Sequence, residues 1–488
     1  MILKYKIKAV PYLFDKTRYY LTALLFLFLM PAMSSFAQFS SAVEKYISVQ
    51  ADTFALIHAK ITDGTGGPSK PDQTLVVVKG IITLIGNSAN TSTPVHAKVI
   101  DCTGKTIIPG MIMMHEHLFY AEAAGDYYLG QEMPISFPQL YLAGGVTTMR
   151  TAGSIEPQTD LNLKEWIKRG EFAGPDMDVT GPYIERAGFP VPEMLHIHSP
   201  EEAAGIVHYW AGFGCTSFKV YRDITLDDLV AVIQAAHQRG FKVTGHLCSV
   251  TYKEAAEAGI DNLEHGFMEC SDFDTSRKAN ICSDNLNRSL LALDVNSKAV
   301  ERLMQLLINK KVTLTSTLTV FEPFTGREAI PGGGAEALMP QIREEVEKGY
   351  QNALNRDSNA TRLFKKELAW EKKFVMMGGA LMAGTDPTDD GRVIPGYADR
   401  HILELLMEAG FSFPESVKIC SLNAAVFLGI AKQTGTVAVG KKADLVLIDG
   451  DPETHISTVR NTEIVFKNGV GFDSKKMFDS LHGTVGRY

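Results

Sequence analysis

Six side chains carry most of the chemistry this sequence offers: His115, His117, Lys219, His246, His265 and Asp386, each in or just after a short apolar run. Imidazole nitrogens and a carboxylate suit a borderline divalent cation such as zinc. In His115-Glu116-His117 the two-residue period of a strand points both imidazoles one way and turns Glu116 outward. Lys219 lies in SFKVY, where a strand buried on both faces should be continuously apolar. An unpaired ammonium is expensive there, and two readings answer the cost. Either the amine reaches a buried carboxylate, or it has combined with carbon dioxide into a carbamate whose oxygens bridge two cations. Tyr221, two residues on, faces the same way and is a candidate donor to a developing oxyanion or to a substrate carboxylate.

A single buried histidine is more often a hydrogen-bonded core residue. Asp386 in AGTDPT reads on its own as a turn residue. The conjunction decides, because a centre holding two divalent ions uses all six positions at once. Two cations sharing a water lower its pKa, so that hydroxide is present near neutral pH. Asp386 is then expected to take the water's proton and pass it to the leaving group. A second His-x-His, His196 and His198, falls in a loop just before a helix cap at Ser199, and both residues are candidates for touching substrate.

Something must bring these residues to one place. Eight apolar runs alternate with helix-like stretches: 107–117, 145–153, 177–184, 216–221, 241–247, 261–266, 312–318 and 380–386. That alternation predicts an α/β chain folded as a (β/α)8 TIM barrel, whose active-site face lies at the carboxyl ends of the strands, where the six residues fall. SPEEAAGIVHYWAGFG opens a helix with Ser199 as N-cap, Pro200 in the first turn and Glu202 closing a capping box. β-rich runs at both ends of the chain predict one small β-sandwich assembled from the two termini. The expected division is a signal peptide at 1–37, sandwich at 38–106, barrel at 107–430 and sandwich again at 431–488.

The first forty residues carry a basic stretch, an apolar run (LTALLFLFLM) and small residues at Ser35 and Ala37. This is the pattern of an export signal cleaved before Gln38, and it places the protein in the periplasm or outside the cell. The apolar run is short of the ~20 residues that span a bilayer, so no stable membrane span is expected after cleavage. Removing residues 1–37, with five basic side chains and one acidic, takes the formal charge from −8 to −12. Such a balance leaves no basic patch for nucleic acid; the expected partner is a small-molecule substrate, and the oligomeric state stays open, a homo-oligomer included. All six cysteines lie beyond the signal, and Cys270 and Cys282 share a polar, loop-like segment that makes them the candidate disulfide.

Taken in order, DCTGKTIIPGMIMMHEH, TSFKVY, TGHL, NLEHG, AGTD and the closing GTVAVGKKADLVLIDGDP resemble the amidohydrolase superfamily. They are most similar to its imidazolonepropionase-like branch, which includes Xaa-Pro-type dipeptidases and ochratoxin-type amidases. The resemblance implies His115, His117 and Asp386 on one metal, His246 and His265 on the other, and carboxylated Lys219 bridging them. Deaminases of that superfamily and imidazolonepropionase itself use one metal and lack the bridging lysine, so Lys219 sets this chain apart. MRTAG carries Thr151 where relatives commonly have Asp after the Arg, and a histidine common before LELL is replaced by Arg400 or shifted to His401. The expected reaction is hydrolysis of an amide in a dipeptide or N-acyl amino acid by metal-bound hydroxide. Ester, lactone, phosphotriester or cyclic-amide hydrolysis would use the same centre, and a metal-binding homologue without catalysis is the non-enzymatic alternative.

Overall fold

In the computed structural model of the protein, residues 39–124, 127–186, 191–355, 358–388 and 391–486 are described. The expected signal peptide lies outside them. The fold is mixed α/β. Each of the eight apolar runs contains a strand, numbered here in chain order: β1 (Met111–Glu116), β2 (Val146–Thr151), β3 (Asp176–Asp178), β4 (Ser217–Val220), β5 (Lys242–Gly245), β6 (Asn262–Glu264), β7 (Thr313–Ser316) and β8 (Leu381–Ala383). β1, β2 and β3 pair in parallel, as do β4 to β8 in sequence. Thr180 and Ser217 make an isolated parallel bridge between the β3 and β4 segments. At the other end, the N–H groups of Thr385 and Asp386 donate to His115 O at 3.2 and 2.9 Å, joining the end of β8 to β1.

These strands are buried on both sides, which is why they read as apolar runs rather than alternating ones. Met113, Phe218, Val220, Val243, Leu263, Leu314 and Leu381 belong to the large apolar core. Arg150, Thr244, Asn262, Glu264 and Thr315 are buried together as a bonded polar cluster. Gly384, just beyond β8, has a positional reason. A Cβ there would lie 2.4 Å from His115 N, so a larger residue would push the two strand ends apart.

Intervening helices include Pro200–Phe213, Leu226–His237 and Tyr252–Ala258. The latter two start in full capping boxes, Thr225 with Asp228 and Thr251 with Glu254. At Pro200–Phe213, Ser199 Oγ accepts from Glu202 N as expected. Glu202 does not close the box, because its carboxylate reaches one residue further out and accepts from His198 N at 2.7 Å.

The two ends of the chain meet in one nine-stranded sheet. Lys105–Pro109 pairs antiparallel with Leu445–Asp449, and Thr53–Ile61, Lys70–Val78 and Ile81–Asn87 continue one side while Thr462–Lys467 and Val470–Asp473 continue the other. It has a core of its own, with Phe54 stacked on Phe466 at 5.1 Å.

The cysteine expectation is corrected. Cys282 is bonded to Cys248, not to Cys270. Cys270 is a buried thiol directed at Asp272, so its place in a polar stretch did not make it accessible. Cys248, two residues after His246, leaves β5 into a loop and comes within 4.8 Å, Cα to Cα, of Cys282.

Candidate metal centre

The carboxyl ends of β1, β4, β5, β6 and β8 bring His115, His117, Lys219, His246, His265 and Asp386 together. Nitrogen atoms of His115 and His117 and an oxygen of Asp386 lie within 4.8 Å of one another, a group able to hold a metal ion. His117 Nε2 stands 3.1 Å and His115 Nε2 3.5 Å from Asp386 Oδ1. Lys219 Nζ is 3.2 Å from His115 Nε2. The His265 ring packs 4.7 Å from that of His115 and 4.3 Å from that of His246.

Lys219 is 1% exposed, and its hydrogen-bond partner is an imidazole rather than a carboxylate. The buried-carboxylate answer to its cost is therefore not the one adopted. Burial lowers its ammonium pKa to about 8. Burial likewise lowers His117 to about 4 and pushes His246 and His265 well below the usual imidazole range. Burial works the other way on Asp386, but His115 and His117 outweigh it and hold its carboxyl well below the ordinary value. His117, His246 and His265 are thus neutral nitrogen donors and Asp386 an ionised oxygen donor, the protonation states in which such groups coordinate cations.

Two ligand candidates sit on strained backbone. His265 has φ of +65° and Asp386 of +52°, a left-handed conformation uncommon outside glycine. His246 Nε2 and His265 Nε2 are both buried with no hydrogen-bond partner. Buried polar nitrogens are rarely left so, and a divalent cation is the partner that these donors fit. His265 is oriented from behind, with Nδ1 2.8 Å from Thr317 Oγ1.

Several contributors are not singled out by their sequence. Glu264 Oε2 lies 2.7 Å from His115 Nδ1, while its Oε1 accepts from the fully buried Arg150 at 2.6 Å. Arg150 also donates to Met114 O and Asn262 Oδ1. The signal was present: Arg150 in MRTAG and Glu264 in NLEHG are charges in buried strands, as Lys219 is. Tyr183 OH reaches His117 Nε2 at 3.2 Å from the segment after β3. Glu116, expected to face outward, does leave the cluster, but it is fully buried and accepts from Thr385 N and Oγ. Burial, reinforced by the nearby Asp399, pushes its carboxyl well up. Thr151, in the position of the common Asp, accepts from Thr180 N at 2.9 Å and lies behind the site.

A cavity of about 300 Å³ opens over the cluster. Lys219, Tyr221, His246, His265 and Asp386 line its floor, and Phe119, Ile155, Met194 and Phe321 are among its apolar walls. The Tyr221 ring lies 4.5 Å from that of His246. His196 and His198 are not in it. His196 belongs to a short strand, Leu195–Ile197, and lines a separate surface groove, while His198 is exposed and paired with Glu202. Arg400 and His401 also lie elsewhere: His401 is engaged by Glu322 and Glu404, and Arg400 stacks on Phe478.

The Amidohydrolase family profile matches residues 106–471, which run from the end of the N-terminal strands through all eight parallel strands. The chain belongs to the amidohydrolase family. As an amidohydrolase it is a hydrolase acting on carbon–nitrogen bonds. An enamidase from Eubacterium barkeri is 36% identical over 387 residues, covering 77% of this chain and 81% of the relative. An L-hydantoinase from Paenarthrobacter aurescens is 23% identical over 401 residues, covering 76% of this chain and 80% of the relative. Among solved structures, a Xaa-Pro dipeptidase with bound methionine superposes with a TM-score of 0.65 at 20% identity, covering 86% of this chain and all of that one. At that identity the likeness concerns the fold, and this amidohydrolase shares it.

Proposed function

We propose that this amidohydrolase is a binuclear metal-dependent amidase that cleaves the amide bond of a dipeptide or an N-acyl amino acid. One observation carries the reading: Lys219 is buried in the donor cluster against an imidazole, with His246 Nε2 and His265 Nε2, neither of them hydrogen-bonded, beside the His115, His117 and Asp386 group. His115, His117 and Asp386 would hold one divalent cation, zinc by donor type, and His246 and His265 the other. Lys219, after its amine adds to carbon dioxide and loses a proton, would supply the site with anionic carbamate oxygens. Bound there, such cations supply an acidified water and a polarised carbonyl. Asp386 takes the proton of the attacking water and delivers it to the leaving nitrogen. Tyr221 and Tyr183 line the cavity with their rings 5.3 Å apart, and Tyr221 would donate to the oxygen that gains charge.

The same reading takes the eight strands as a closed (β/α)8 barrel over residues 107–430, with a β-sandwich formed from 38–106 and 431–488. The bonds from Thr385 and Asp386 to His115 support closure. Export to an oxidising compartment is supported by the Cys248–Cys282 disulfide.

Relatives named enamidase and L-hydantoinase favour a second reading, hydrolysis of a cyclic amide. A single panel separates the two. Enzyme loaded with zinc in the presence of bicarbonate is offered dipeptides, N-acyl amino acids and hydantoins, with free amine and acid production both followed. Amine release supports the leading reading, whereas acid without free amine supports ring opening. Silence with two metals bound per chain would overturn both and direct attention to esters, lactones and phosphotriesters.

A further inference from the structure

Arg222 is the cationic lining residue of the cavity that the metal reading leaves unused. It follows Tyr221 at the end of β4. Its Nη2 donates to Cys282 Sγ at 3.3 Å, and its Nε is buried with no hydrogen-bond partner. No ion pair engages it among the described residues. Glu269, in the same lining, feels the Arg222 charge, which partly offsets its burial, but it makes no hydrogen bond to it, and its Oε2 lies 3.5 Å from His246 Nε2. A guanidinium has five donors in a fixed fork, and sulfur is a weak acceptor. Leaving such a group half-buried against sulfur and open space is costly, and the chemistry that best relieves it is a carboxylate bound by two parallel hydrogen bonds.

The surroundings hold Arg222 in that pose. Ser249 N donates to Arg222 O at 2.9 Å, and the neighbouring Cys248 is covalently joined to Cys282, whose sulfur the guanidinium touches. The segments after β4, β5 and β6 are therefore fastened to one another at this one arginine. The same cavity is lined by the apolar side chains of Phe119, Ile155, Met194 and Phe321.

We infer that Arg222 binds a free carboxylate of the substrate a few bonds from the scissile amide, that the Cys248–Cys282 disulfide positions it, and that the group across the amide is apolar. This rests on the amidase reading. It narrows the substrate to acylated or aminoacylated amino acids with a free acid and a hydrophobic acyl side.

The test compares N-benzoylglycine with its neutral carboxamide, N-benzoylglycinamide, following benzoate release by the zinc-loaded enzyme. The acid should be preferred by at least about tenfold in kcat/KM, and Arg222→Met should lower the acid about 100-fold while leaving the carboxamide within about twofold. Arg222→Lys, which keeps charge and loses the fork, serves the same comparison if the methionine variant does not fold. The double variant Cys248→Ser, Cys282→Ser should raise KM for the acid about tenfold with kcat within about twofold, a split that general loosening of the site would not give. Equal use of the two compounds, or a preference that survives Arg222→Met, overturns the inference while the amidase reading stands. If neither compound is cleaved, their binding to the zinc-loaded enzyme is measured by calorimetry. Tighter binding of the acid that depends on Arg222 then keeps this inference and counts against the amidase reading, and equal or undetectable binding overturns the inference.

Discussion

Glu264 and His115 are joined by a fully buried contact of 2.7 Å, and the oxygen of Glu264 that His115 does not use is held by Arg150 at 2.6 Å. The contact fixes the His115 ring so that Nε2 faces Lys219 and Asp386. Partners of this kind hold a ligating imidazole in one tautomer and raise its basicity. Glu264→Gln should therefore weaken zinc binding about 10- to 100-fold, measured by competition with a chelator of known affinity. Unchanged affinity would mean that His115 is oriented by its strand alone.

Lys219 lies in the middle of the cluster, with its Nζ 3.2 Å from His115 Nε2 and the rings of Tyr183 and Tyr221 5.1 and 5.7 Å away. Lys219→Met is expected to fold, because it removes a buried amine and keeps an unbranched apolar stem. It should bind fewer than two metals per chain and lose a bicarbonate-dependent carbamate signal that the wild-type enzyme shows by carbon-13 NMR. Two metals retained in Lys219→Met would remove the bridging role.

How far the sequence reaches is clear from particular residues. His115, His117, Lys219, His246, His265 and Asp386 were legible because each is a polar residue at the carboxyl end of an apolar run, where burial makes it costly and topology makes it meet the others. Arg150 and Glu264 satisfy the same criterion, but they satisfy each other, and pairing across strands cannot be read along one. The chain ends were legible as strands because both carry β-rich runs between turns, and Thr53–Ile61, Lys70–Val78, Leu445–Asp449 and Thr462–Lys467 share one sheet. Lys105–Pro109, which joins the two halves, was read instead as the entry to the first barrel strand. His196 and His198 share a spacing with His115 and His117 but not a place, since His196 lines a different groove and His198 is exposed beside Glu202. The disulfide was missed because the loop after β6 folds back onto the end of β5, a path that local polarity does not encode.

That corrected pairing has a simple check. Denatured without reductant, the protein should show four titratable thiols, Cys102, Cys215, Cys270 and Cys420, and six after reduction. Peptide mapping should recover Cys248 linked to Cys282. With the two cysteines 34 positions apart, chain entropy puts the loss of stability on reduction at about 3–4 kcal/mol. A Cys270–Cys282 peptide would restore the sequence expectation.

His401 offers a pH dependence remote from the metal cluster. It is nearly buried, with Nε2 2.6 Å from Glu322 Oε2 and Nδ1 bonded to Glu404. Arg460 pairs with Glu404 and Arg327 with Glu322 beside the imidazole. Burial alone would lower its pKa, but the two carboxylates overcome that and raise it to about 9. A raised folded-state value means that the contribution is complete below the unfolded value near 6.5. It is lost as pH climbs through about 9, and its full size is about 3 kcal/mol. Urea unfolding of the wild type at pH 6 and pH 9.5 should show that loss beyond whatever other groups contribute. His401→Asn, which cannot carry the charge, should be less stable at pH 6 and should close most of the gap to the wild type by pH 9.5. A variant whose deficit is the same at both pH values would show that His401 stabilises the Glu322 and Glu404 contacts by packing and neutral hydrogen bonds, not by its charge.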